Sequence, residues 1–117
     1  MSRLALSDAD KQARDWFVDT AKALGCEVVI DEMGNTFAVR PGRRSDAAPI
    51  YAGSHLDTQP AAGRYDGILG VLAAVEMLKI LNDHQVETEY PIGVVNWTKY
   101  VRRIRRFCLV VTFCVSR

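Results

Sequence analysis

Apolar and polar positions alternate along this chain with two different periods, and the changes of period divide it into elements. In SDADKQARDWFVDTAKAL, Ala13, Trp16, Phe17, Ala21 and Leu24 recur at helical spacing. This predicts a helix from Ser7 to Leu24 with one apolar face. Ser7 followed by Asp10 resembles a capping box with Asp in place of Glu, and Gly25 suits the left-handed position that ends a helix. CEVVID and TFAVR read as two strands joined by an MGN turn, an antiparallel hairpin, and PGRRSDAA is a polar surface loop. PIYAG is a short buried strand bounded by turn residues. From Gly67 the run ILGVLAAVEMLKILNDH predicts a helix to Asp83 whose apolar residues wrap most of its circumference, so burial on more than one side is expected. YPIGVVNWT, from Tyr90, is a further strand. Strand, helix, strand in this order implies a parallel right-handed crossover and an α/β layer architecture, with no internal repeats.

Charge divides the chain a second time. Its net charge of +1 over 117 residues conceals nine Lys and Arg against fourteen Asp and Glu up to Thr98, and six basic residues with no acid thereafter. Residues 1–98 therefore read as one folded unit and 99–117 as a tail of different origin, basic in RRIRR and apolar in FCLVVTFCV. That nine-residue run is too short to span a bilayer, and no aromatic and basic interleaving marks a nucleic-acid surface, so neither membrane nor nucleic acid is expected as a partner. MSRLALSDADK lacks the basic-then-apolar order of a secretory signal. Three cysteines, Cys26, Cys108 and Cys114, show no metal-finger spacing, and their odd number fits a reducing compartment. The expectation is a cytoplasmic protein, with Cys26 a core thiol.

The chemistry concentrates in GSHLDTQPAAGRYDG, Gly53 to Gly67. On the predicted skeleton His55 and Asp57 leave the C-terminal end of a strand and Asp66 stands at the entrance of the next helix. That crevice is where open α/β sheets bind ligands. Imidazole and carboxylate are good zinc ligands, and a carboxylate two residues from the histidine can fix its tautomer. Asp66 has two oxygens and can bridge a pair of metals. The residue types alone leave other readings open: HxD occurs in solvated turns, and an Asp before a helix is often an N-cap. His84 has no partner pattern and reads as an exposed helix-end residue. Neither GxxxxGK[ST] nor GxGxxG is present, which excludes a phosphate loop of either type.

GSHLDTQPAAGRYDGILGVLAAVEML closely resembles the first metal-binding motif of the M20 metallopeptidase family, in its branch of N-carbamoyl-L-amino-acid hydrolases, β-ureidopropionases and allantoate amidohydrolases. The resemblance runs from Ser2 to Thr98 and includes LALSDADKQARDWF, MGN and ETEYPIGVVNWT. It implies an α/β catalytic domain, a mixed sheet with flanking helices, holding two divalent metal ions, usually zinc, and a separate lid and dimerisation domain. By motif position His55 matches a ligand of one metal, Asp66 the bridging carboxylate and Asp57 the aspartate that orients the histidine. Gln59, in the same loop, is placed toward the substrate, a small N-carbamoyl or ureido compound.

After NWT the family continues with Asn and a pair of glutamates, a general base and a ligand, where this sequence reads KYVRRIRRFCLVVTFCVSR. The expectation is the N-terminal part of a two-metal amidohydrolase catalytic domain, its lid absent, followed by an aberrant tail from a frameshift or retained intron, inactive alone. The rival expectation is a non-catalytic regulatory fragment that associates with an intact homologue.

Overall fold

The computed structural model describes residues 2–98; the predicted basic and apolar tail, with Cys108 and Cys114, lies outside them. The elements follow in the order α1 (Asp8–Ala23), β1 (Glu27–Ile30), β2 (Thr36–Arg40), β3 (Ile50–Ser54), α2 (Ile68–Asp83) and β4 (Ile92–Asn96). The strands form one sheet in the order β1-β2-β4-β3. β1 pairs antiparallel with β2, β2 antiparallel with β4, and β3 parallel with β4. The predicted α/β fold with a mixed sheet is what forms: a hairpin laid beside a strand, helix, strand unit.

Ser7 caps α1 as its sequence predicts, accepting from the Asp10 N–H at 3.2 Å. Asp10 returns the bond one residue further upstream than in a usual capping box, its Oδ2 accepting from Leu6 N–H at 3.0 Å. The same carboxylate, fully buried, takes Arg14 Nε at 2.8 Å. Arg14 then donates to Gly34 O at 2.5 Å and to Thr98 Oγ1 at 2.9 Å, so one guanidinium fastens the start of α1 to the hairpin turn and the end of β4. The turn is built by Asp31, whose Oδ1 accepts from the Met33 and Asn35 amides, both at 2.9 Å. Asn35 Nδ2 donates to Asp31 Oδ2, and this bond, with those from the turn backbone, holds the Asp31 carboxyl below the ordinary aspartate range.

Both helices contribute to one apolar core on one face of the sheet. Phe17 and Ala21 of α1 and Val71, Ala74, Val75 and Leu78 of α2 meet Ala38, Val94, Cys26 and Leu56. Burial pushes the Cys26 thiol above its usual pKa, as fits a core residue. Asn82 Nδ2 ties α2 to the end of α1 at Leu24 O, 2.8 Å. Phe37, one position out of phase with Ala38, packs edge-on to Tyr51 and Trp97 on the other face.

Two expectations from periodicity are corrected. Trp16, placed on the buried face of α1, is 44% exposed, because the helix turns Phe17 and Ala21 directly onto the sheet. α2 is covered along one side by β3 and β4, while Leu69, Leu72 and Ile80 stay exposed among the described residues.

Candidate metal centre

β3 ends at Ser54, and the next residue is His55. The ladder continues one step past the strands, with Trp97 N–H donating to Ser54 O at 2.8 Å, so the chain leaves the sheet at the C-terminal ends of the two parallel strands. The loop then runs to Gly67, which stands at the N-cap of α2 with φ +78°. A Cβ there would lie 2.5 Å from His55 Nδ1 and 2.5 Å from His55 O. Gly67 is therefore required twice, by its backbone angle and by the imidazole that occupies the place of its missing side chain.

That imidazole is nine-tenths buried and held from one side. Its Nδ1 lies 2.7 Å from Asp57 O and 3.0 Å from Asp57 Oδ1. Both neighbours are acceptors, which assigns the proton to Nδ1 and leaves the lone pair on Nε2 in the neutral ring. Asp57 is itself 3% exposed. Nε2 faces outward to Asp66 Oδ1 at 4.0 Å, and Asp66 is nearly half exposed. The N-cap alternative for Asp66 does not hold: the cap residue is Gly67, and no side-chain cap bond is made there.

The fold brings His55, Asp57 and Asp66 together. Gln59 is exposed at the rim of the loop, where its carbonyl closes a turn with Ala62 N–H at 3.3 Å. His84 is the exposed C-cap of α2.

A lone pair and a carboxylate facing each other form a donor pair for a cation. With zinc bonds of about 2.0–2.2 Å to each atom, a tetrahedral angle needs about 3.4 Å between them. The observed 4.0 Å closes to that value with about 0.6 Å of movement, which the half-exposed Asp66 side chain can supply. Among the described residues no group of three or more His, Cys, Asp or Glu side chains is arranged to hold a metal. Two donors fall short of the three or four protein ligands that a zinc site uses.

The residues that steady this loop were not singled out from the sequence. Leu56 N–H donates to Asn96 Oδ1 at 3.0 Å, and Arg3 Nη1 donates to Leu56 O at 3.2 Å. Arg3 and Thr58 also exchange two bonds of 2.6 Å, Thr58 N–H to Arg3 O and Arg3 N–H to Thr58 Oγ1. The one sequence signal was an Asn ending the apolar run of β4; the Arg3 contact spans more than fifty residues and leaves no local pattern.

No protein-family model matches this chain. It is 44% identical over 97 residues to the N-carbamoyl-L-amino-acid amidohydrolase of Rhizobium meliloti, covering 83% of this chain and 23% of that protein. It is 32% identical over 98 residues to a ureidoglycolate hydrolase of Oryza sativa subsp. japonica, covering 84% of this chain and 20% of the relative. Among solved structures, a hydantoinase/carbamoylase family amidase from Burkholderia vietnamiensis superposes with a TM-score of 0.82 at 57% identity, covering 84% of this chain and 24% of that one. The chain spans about a quarter of the length of the curated relatives it matches. Across that span, fold and sequence agree in one conclusion: the chain is similar to about a quarter of the hydantoinase/carbamoylase amidases and of the N-carbamoyl-L-amino-acid amidohydrolases.

Proposed function

We propose that His55 and Asp66 are ligands in the divalent-cation centre of an amidohydrolase that cleaves the C–N bond of a small carbamoyl or ureido compound. Asp57 holds the histidine in the ligating tautomer. The observation that carries this is the opposed pair: an imidazole whose Nδ1 is committed to Asp57 and whose Nε2 looks across 4.0 Å at the Asp66 carboxylate. A carboxylate behind the ring is the usual way a metal-binding histidine is oriented and made more basic. Zinc is the cation the donor set suits best, and Asp66, with a second oxygen and an exposed side chain, can bridge to another ion. A cation held there would supply Lewis acidity toward the carbonyl of the substrate.

The protein's own residues do the rest of the work in this region. Gly67 leaves room for the ring, Asp57 keeps a proton on Nδ1, and burial excludes water from the side of the ring facing the core. The names of the relatives, which specify N-carbamoyl amino acids and ureidoglycolate, support a ureido carbon as the reacting centre.

Among the described residues two side chains, His55 and Asp66, are placed as ligands of one cation. A complete structural zinc site yields about 10–16 kcal/mol, so half a site gives about 5–8 kcal/mol and micromolar affinity or weaker. We propose that this polypeptide binds zinc weakly through His55 and Asp66 and does not turn over a carbamoyl amino acid. Titration calorimetry with Zn²⁺ tests the reading. Binding weakened at least tenfold in His55→Ala and in Asp66→Asn supports it, whereas equal binding by the wild type and both variants overturns it. Hydrolysis of an N-carbamoyl amino acid above the His55→Ala level would overturn the inactivity.

A further inference from the structure

We propose that Asn96 is a positioning residue for the histidine ligand, acting through the peptide of Leu56; the inference rests on the reading of His55 as a ligand. His55 and Asp57 are two residues apart, and the ring N–H at Nδ1 is hydrogen-bonded to Asp57 O, with Asp57 Oδ1 3.0 Å away. The arc between them is Leu56 alone. Any rotation of its peptide swings Asp57 O and Oδ1 away from the ring and frees the proton to move to Nε2, which removes the lone pair a cation needs.

The Leu56 peptide is pinned from two sides. Its carbonyl accepts from Arg3 Nη1 at 3.2 Å, and its N–H donates to Asn96 Oδ1 at 3.0 Å. Asn96 can do this because it is the last residue of β4, paired in register with Ser54, so its side chain lies beside the chain just as that chain leaves β3. It is fully buried.

The other half of the amide shows what the position serves. Asn96 Nδ2 is buried and has no hydrogen-bond partner among the described residues. A buried donor without a partner costs stability, and an apolar residue of the same shape would avoid that cost. Among the described residues the amide is held through its oxygen alone, and the partner of that oxygen is the backbone between the two site residues.

The test reads the ring rather than the fold, by ¹⁵N NMR of the His55 side chain in the full chain without metal, above the usual histidine titration range. The wild type should show the Nδ1–H tautomer. Asn96→Asp keeps an acceptor oxygen at the same reach and should retain that tautomer. Asn96→Leu removes it and should give a mixture of tautomers, with Leu56 amide exchange faster by roughly tenfold, the equivalent of one hydrogen bond. A folded Asn96→Leu with the wild-type tautomer and wild-type Leu56 exchange overturns the proposal. Should Asn96→Leu fail to fold, the wild type decides: Leu56 exchange as slow as the β4 amides supports the proposal, and exchange at the rate of an open loop overturns it. Zn²⁺ is added afterwards to the wild type. Loss of the tautomer in Asn96→Leu with no zinc response at His55 would sink the metal reading and leave the positioning role standing.

Discussion

Replacing Gly67 by Ala should be far more damaging than its half-buried place at a loop end suggests. Two effects act together. At φ +78° an L-residue is strained by about 1–2 kcal/mol. The new methyl would also stand 2.5 Å from His55 Nδ1 and 2.5 Å from His55 O, where carbon contacts settle at about 3.5–4.0 Å. Relieving an overlap of about 1 Å means moving either the buried ring or the start of α2, and such overpacking costs about 1–3 kcal/mol. The sum is about 2–5 kcal/mol, a large part of the 5–15 kcal/mol expected for a small domain. Two other glycines separate the terms. Gly25 has the same φ of +78° with nothing near its Cβ, and Gly63 has open space and no positive φ. Urea unfolding of the three Ala variants should therefore rank them Gly67, then Gly25 at about 1–2 kcal/mol, then Gly63 near the wild type. If Gly67→Ala lost no more stability than Gly25→Ala, the imidazole would not be seated against Gly67 and the site geometry would be wrong.

Arg14→Met leaves the Asp10 carboxylate buried without its cation and should cost about 3–5 kcal/mol in urea unfolding; Asp10→Asn added to Arg14→Met should recover part of the loss. The hairpin turn should weaken in acid: because the folded-state pKa of Asp31 is depressed, its contribution is complete above the ordinary aspartate value of 3.8 and is lost as pH falls below that through the folded value. The Met33 and Asn35 amide resonances should report this transition, and it should vanish in Asp31→Asn.

Much of this architecture was legible because it is locally encoded. Ser7, Asp10 and Gly25 mark the ends of α1, MGN turns the hairpin, and PIYAG, the long apolar helix and YPIGVVNWT spell out the parallel unit that puts His55 and Asp66 at one end of the sheet. Helical periodicity could not say which apolar residues find a partner. Leu69, Leu72 and Ile80 match their buried neighbours in type but face away from β3 and β4, and Trp16 differs from Phe17 only by one helical step. The supports of the site were hidden for another reason. Arg3 and Asn96 act on Leu56 across 53 and 40 residues, through bonds to backbone atoms that any residue type would offer. The role of Gly67 was half visible, since a turn glycine is ordinary in a loop, whereas its contact with the His55 ring exists only after folding.

The claim most exposed to refutation is that His55 Nε2 and Asp66 grip one cation between them. Titrating Zn²⁺ into the chain while following both ring nitrogens of His55 by ¹⁵N NMR addresses it atom by atom. The account predicts a large shift at Nε2 with the proton retained on Nδ1, and a much smaller response in Asp66→Asn. A wild-type spectrum that zinc leaves unchanged, or an Asp66→Asn spectrum that responds identically, would contradict it.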